Sequence, residues 1–402
     1  MASSTADVDD AETRLLSGYS GRMVTLAALG WMTVLLGRQV IPPLLPTIID
    51  DLSITSARAG FALTLMMGVY ALLQYPAGRL SDALSRKTLM VPALGGTVIG
   101  FVLLGTVTTY PQLLVATLLI GACPAFYFTP SRAFLSDLFV ERRGQAFGVQ
   151  ATAGLGGSAL AAGIAVVALN VATWQAAFLP AIVLLVLVGA SFHRWSHESY
   201  VFTLEDVDLD VVATFERLLR SSRIRRLLVV RIAFGFTFQS VISFLPTLLH
   251  ADKGFSTALA SGSFALLYVV GSVSAPAAGR LSDRFDRSRV VLASLAGALL
   301  GLVVLVVGVR PSIIVGGIVV MAAGLSALFP VLQAYFMDAF PDASMGGDFG
   351  AAKTVYTGIA SVGPTYVGVV ATRQSYVVAF AGLTVVILAA IALVVTFDDG
   401  GT

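Results

Sequence analysis

Long apolar runs broken by short polar stretches fill this chain from residue 22 to residue 397. Their apolar positions do not alternate strictly, so they read as helices and not as strands of a barrel. A bilayer crossing takes about 20 such residues. The pattern predicts helices near 23–49, 57–77, 88–107, 112–138, 144–168, 173–192, 226–249, 257–277, 289–308, 312–339, 347–371 and 375–397. Lipid offers no partner to an open strand edge. The expected fold class is therefore an all-α membrane protein with twelve transmembrane helices.

The one long polar stretch inside the chain, His193 to Arg226, divides it in two. It contains Glu205-Asp206-Val207-Asp208-Leu209-Asp210 and a basic run from Arg220 to Arg226, and Val211–Leu219 has the pattern of an amphipathic surface helix. We read it as a tether. The expected organisation is a tail at 1–21, a six-helix bundle at 22–192, a linker at 193–225, a second bundle at 226–397 and a tail at 398–402.

Composition agrees with burial in lipid. Hydrophobic residues make up 57% of the chain and charged residues 12%, with a mean hydropathy of +0.88. A water-exposed surface needs roughly twice that charge. Arginines gather on one side of the proposed spans, among them Arg22, Arg79, Arg86, Arg142, Arg194, Arg223, Arg280 and Arg287, whereas the other side holds only Arg58, Lys253, Arg310 and Arg373. By the positive-inside rule both ends face the cytoplasm. The expected location is the plasma membrane, as a multi-pass protein. Residues Met1 to Ser20 carry acids and no apolar core, which argues for a disordered tail over a cleaved signal peptide. The net charge of +2 gives a nucleic-acid partner no support. With Cys123 the single cysteine, an internal disulfide and a thiolate metal cluster are excluded. No Gly-rich phosphate loop, metal-spaced cluster or catalytic constellation occurs. Enzymatic activity, a cofactor, a metal and ATP-driven transport are therefore not expected.

A loop sequence occurs twice: Gly78-Arg79-Leu80-Ser81-Asp82-Ala83-Leu84-Ser85-Arg86-Lys87 and Gly279-Arg280-Leu281-Ser282-Asp283-Arg284-Phe285-Asp286-Arg287-Ser288. The copies begin 201 positions apart in a chain of 402. The register extends further. Leu45-Pro46-Thr47 answers Leu245-Pro246-Thr247, Gln39 answers Gln239, Asp137 answers Asp338, and Arg132 answers Gln333. We expect Gly78 and Gly279 to end a span and permit a tight turn. Asp82 and Asp283 are placed to accept hydrogen bonds from neighbouring arginines or helix N-termini, forming a latch.

The repeated loop, between the second and third spans of each half, resembles the signature of the major facilitator superfamily. Ser85 and Asp286 stand where glycine is usual, and Ser288 stands at a usual basic position. The resemblance covers residues 22–397 and implies two pseudo-symmetric six-helix bundles, probed by a substrate near the bilayer midplane and rocking to give alternating access. It also implies that Asp82 and Arg86 of this loop hold the outward-facing state, with Gly78, Arg79, Gly279, Arg280, Asp283 and Arg287 completing the latch. Arg132 and Asp137 are assigned to the same gate network.

Inside the membrane the charge is one-sided. None of the 23 acids falls in mid-span, so simple proton coupling is disfavoured. Arg38 lies well inside the first span, where an arginine costs roughly 2.5–3.5 kcal/mol on insertion scales. It must face the interior, and an anionic substrate would supply the missing charge. Its placement is similar to that of the first-span arginine in the organophosphate antiporters of the superfamily. The seventh-span counterpart here is Phe238, so a paired clamp is absent. A structural role for Arg38 is the alternative. Gln39, Gln239, Gln333, Lys353 and Tyr356 complete the polar candidates, with Trp31, Tyr70, Phe126, Tyr127, Tyr268 and Phe329 as aromatic lining. Arg231 and Lys353 each lie within two turns of a cytoplasmic helix end, from which both can snorkel, and Lys353 is the better site candidate of the two. The expected function is a monomeric secondary transporter of a small organic anion, working by exchange or facilitated transport. The alternatives are efflux of amphipathic compounds and a non-transporting membrane sensor.

Overall fold

The computed structural model describes residues 16–202, 221–339 and 345–398; the side chains of Asp82, 345–349 and 397–398 lie outside that description. In the first half α1 spans Gly18–Asp51, α2 Ser56–Ala83, α3 Arg86–Gly105, α4 Tyr110–Leu138 and α5 Arg143–Val171. A 3-10 turn at Trp174–Phe178 then leads into α6, Leu179–Trp195. In the second half α7 spans Ser222–Ala251, α8 Thr257–Ser282, α9 Arg287–Val307, α10 Pro311–Met337, α11 Met345–Ala360, α12 Gly363–Arg373 and α13 Tyr376–Asp398. Among the described residues eleven helices are long and apolar enough to cross a bilayer, and α11 with α12 forms the remaining crossing.

The connections are short, and the last residue of several of them caps the orphan amides of the next helix. Thr55, Ser85, Ser221, Ser256 and Asp286 each accept a hydrogen bond from the backbone N–H three positions on. Thr109 and Gln112 close a capping box at the start of α4. Small residues bring helices close. At Gly157 an added Cβ would lie 2.2 Å from the Met32 carbonyl of α1, and at Gly324 it would lie 2.4 Å from the Ala298 amide of α9.

Two expectations need correction. The predicted eleventh span, 347–371, is not continuous: it breaks at Ser361 and Val362. Pro364 follows the break, has no N–H to donate and crowds the preceding carbonyls. Gly78 and Gly279 do not end their spans either. Both sit inside helices, α2 and α8, and neither is among the positive-φ residues. An added Cβ would meet Thr129 Cγ2 of α4 at 3.5 Å and Pro330 Cβ of α10 at 3.8 Å. Both are ordinary contact distances, so in each half the repeated glycine is a helical position where a small side chain also fits.

The stretch assigned to a tether begins as a docked strap. The Lys87 ammonium donates to the Ser196 carbonyl at 3.1 Å, and Glu198 accepts from the Lys87 amide at 2.8 Å. The Val201 amide donates to Thr88 Oγ1 at 2.9 Å, and His197 stacks on Tyr19. The acidic run Glu205–Asp210 and the amphipathic segment 211–219 lie outside the described residues.

The two halves meet chiefly where α1 packs on α7, α2 on α11 and α12, and α5 on α8. Among the described residues, the hydrogen bonds between halves gather at the end opposite the repeated loops. Ser56 Oγ and Tyr376 OH lie 2.6 Å apart, the Ala57 amide donates to Thr372 Oγ1 at 2.9 Å, and Thr365 donates to Thr64 Oγ1 at 2.8 Å. Backbones touch there too, since a Cβ on Gly368 would lie 2.2 Å from the Ser56 carbonyl. At the repeated-loop end two ion pairs among the described residues lie each within one half. Arg86 reaches Asp137 at 3.4 Å, and Arg287 pairs with Asp338. These two pairs are the same contact, repeated at the same register.

Candidate functional site

Four cations and a set of aromatic rings line the interface between the halves. From α1, the Arg38 guanidinium lies 4.7 Å over the Tyr70 ring of α2 and donates to Met67 Sδ at 2.9 Å. Arg38 is only 4% exposed, and its Nε has no acceptor. From α4, Arg132 sits 5.0 Å from the Phe128 ring and 5.1 Å from that of Phe147, again with Nε unpartnered. Lys353 approaches the same Phe128 ring from α11, its ammonium 5.5 Å away. A single ring thus carries one cation from each half. Trp31 backs it at 4.3 Å.

Arg231 completes the set. Its guanidinium lies within about 5 Å of three rings, Phe234 (4.9 Å), Phe329 (5.1 Å) and Tyr356 (4.7 Å), and Nη1 has no acceptor. It lines a cavity of about 130 Å3 with Phe238, Gln239 and Phe329. Both Arg132 and Arg231 lie within electrostatic range of Lys353, and Arg38 within range of Tyr70 and Tyr268. Among the described residues no carboxylate pairs with any of the four cations.

The structure gathers Arg38, Tyr70, Tyr268, Trp31, Lys353, Tyr356 and Gln239 around this interface. Tyr268 is buried with its hydroxyl unpartnered, at a T-shaped contact with Phe264. Gln39 is buried, and Gln239 lines the cavity beside Arg231. Phe126 packs partly buried against the core, and Gln333 is exposed. Tyr127 is fully buried and donates to the Ala27 carbonyl at 3.0 Å, which makes it a packing residue.

The gate residues divide. Arg132 does not pair with Asp137, which Arg86 takes instead, and it packs against the Phe128 and Phe147 rings. Arg86 also donates to Ser81 Oγ at 2.6 Å, and Arg287 to the Ala334 carbonyl at 3.4 Å. Asp283 and Arg280 are exposed. The Asp82 side chain lies outside the described residues. Sequence reasoning passed over Arg231 as a snorkelling residue and did not single out Phe128 or Phe234. A signal existed for Arg231: it lies one turn before Phe234, and this residue three positions on returns to the same helix face.

The sequence model of the Major Facilitator Superfamily matches residues 27–277 and 259–401. The chain belongs to that superfamily. It is a multi-pass membrane transporter, and the family is one of carriers, not enzymes. A search of curated protein sequences finds no significant match. Solved structures share the transporter's fold at low identity. A bacterial homolog of the human lysosomal transporter Spinster, inward-facing and unoccupied, superposes with a TM-score of 0.78 at 15% identity, covering 94% of this chain and 95% of that one. The nucleoside transporter NupG gives 0.76 at 16% identity, over 92% and 99%. The human organic anion transporter MFSD10 (TETRAN) gives 0.67 at 17% identity, over 93% and 99%.

Proposed function

We propose that this transporter moves a small organic anion, and that it does so by exchange. The observation behind this reading is the unpaired charge. Arg38, Arg132, Arg231 and Lys353 converge on one interface, three of them with an orphaned N–H, and among the described residues no carboxylate answers them. Burying a cation without a partner is costly, and the cost falls when a bound anion supplies the charge and the missing acceptors. A guanidinium presents a planar fork that suits carboxylate or phosphate. The rings around Arg231 and Phe128 suit the apolar body of such a molecule.

Exchange follows from the same imbalance. The empty carrier would have to enclose several like charges in apolar surroundings to reorient, whereas the loaded one would not. Hydrogen bonds between halves at the end opposite the repeated loops support a cavity open toward the repeated loops. By the arginine bias that side is the cytoplasm, with both chain ends there and the plasma membrane as location. The linker position and a monomeric carrier complete the reading. Arg86 with Asp137 and Arg287 with Asp338 tie each repeated loop to α4 and to the end of α10 within its own half.

A second reading has its own observation. Phe234, Phe238, Phe329 and Tyr356 line the cavity beside Arg231, and rings alone satisfy part of that charge. This suits efflux of amphipathic compounds, with the arginines structural. Thermal stabilisation of the purified protein by a panel of organic anions and lipophilic cations, with Arg38→Gln alongside, separates the two. We expect stabilisation by an anion, and binding weakened roughly ten- to a hundredfold in the variant, the range for a lost charged hydrogen bond. Stabilisation only by lipophilic compounds, unchanged in Arg38→Gln, would overturn the anion reading.

A further inference from the structure

A second cavity lies away from the substrate interface, on the outer face of the second half. Helices α8 and α9 both pack on α10 but scarcely touch each other. The gap between them is a groove of about 730 Å3, floored by α10 and lined by Ala277, Leu281, Phe285, Gly297 and Ala323 among others. Its two hydroxyls are used up within their own helices: Ser274 donates to the Val270 carbonyl at 2.9 Å and Ser294 to the Val290 carbonyl at 2.7 Å. The walls are therefore apolar. Along α9 the lining runs from Arg289 to Gly297, about 12 Å at 1.5 Å per residue.

One charged group touches the groove. Arg289 lines its repeated-loop end and is exposed, and among the described residues its guanidinium makes no ion pair or hydrogen bond. Asp286 accepts from the Arg289 amide as the α9 cap, and Asp338 pairs with Arg287. Arg280 and Arg284 are exposed on the same loop, beside the exposed Asp283. Arg289 thus stands as a cation at the end of an apolar slot that opens sideways between membrane-spanning helices.

We propose that this groove is a binding site for an anionic phospholipid, with one acyl chain along α9 and the phosphate on Arg289. The charge at one end and the apolar length behind it match an amphiphile whose anionic head sits at the membrane surface. A lipid held there braces α8 against α9 at the second copy of the repeated loop, because Leu281 and Phe285 belong to both the loop and the groove wall. The proposal does not depend on what the central cavity carries.

The test is thermal unfolding and native mass spectrometry of the purified full-length protein with added phosphatidylglycerol or phosphatidylcholine. Gly297→Leu fills the groove; a Cβ there meets nothing closer than 3.8 Å, so the backbone need not shift. Arg289→Gln removes the charge at an exposed position and leaves the groove open. We expect phosphatidylglycerol to raise the Tm more than phosphatidylcholine does. Its binding should weaken about fivefold in Arg289→Gln, the factor for one arginine at an anionic surface, and be lost in Gly297→Leu. Equal effects of the two lipids, or a phosphatidylglycerol effect that survives both substitutions, would overturn it.

Discussion

A guanidinium keeps its charge under any physiological condition, so at each buried arginine the question is what supplies the opposite charge. At Arg231 the nearest answer is partial. Three ring faces lie within about 5 Å, and one N–H still has no acceptor. Cation–π contacts of this kind contribute on the order of 0.5–2 kcal/mol each, well short of a full counter-ion. Arg231→Gln should therefore fold but bind the transported anion at least tenfold more weakly, the minimum for a lost charged contact. Isothermal titration against the wild type checks this, and unchanged affinity would make Arg231 a packing residue. Lys353 differs in kind, since an ammonium is a compact charge on a flexible stem. Its approach to Phe128 from the opposite half makes it the cation best placed to feel the halves move. At this scale the sequence was informative about Arg38 because depth alone marks a buried charge as costly. It was uninformative about Arg231, because distance from a helix end does not say whether a side chain turns outward to lipid or inward to rings.

Among the elements, α2 and α12 make the tightest crossing between halves. A Cβ on Gly60 would lie 2.4 Å from the Pro364 carbonyl, and one on Gly368 would lie 2.2 Å from the Ser56 carbonyl. Both neighbours are backbone, so neither can swing aside. Gly60→Ala should raise the free energy of the state closed at this end by about 1–3 kcal/mol, as other overpacked contacts do. Spin-label distances between the 51–56 and 373–376 loops should broaden toward longer values; an unchanged distribution would mean that the helices relax without parting. Glycines at 60 and 368 look ordinary in a chain with 39 of them. The break between α11 and α12, by contrast, has a local cause in Pro364, which a reading by hydrophobic length overlooked. Gly78 and Gly279 taught the reverse lesson. Their repetition was legible, but the turn assigned to them does not form, because both helices run on past them.

For the whole molecule the balance is between a sealed end and a charged interface. The seal rests on a few hydrogen bonds, Ser56 with Tyr376 and Thr64 with Thr365 among them, each worth about 1 kcal/mol net. Such a seal can open and re-form during a transport cycle. In proteoliposomes loaded with labelled anion, efflux should be fast when external anion is present and slow when it is absent. Lys353→Gln, with one fewer charge to enclose, should narrow that difference. Equal wild-type efflux in both conditions would point to facilitated transport instead of exchange.

The sequence by itself determined the number of crossings, the division into two halves, the register between them and the depth of Arg38. Each of these follows from local hydrophobic length or from repetition along the chain, and neither needs a partner to be read. Only the tertiary structure decided which cations share a ring, which aspartate an arginine takes and which end of the molecule is sealed. Those outcomes depend on contacts between helices far apart in the chain, such as Phe128 with Lys353 and Ser56 with Tyr376. On a helix the direction of a side chain is fixed by the helix's rotation about its own axis, and packing against its neighbours sets that rotation.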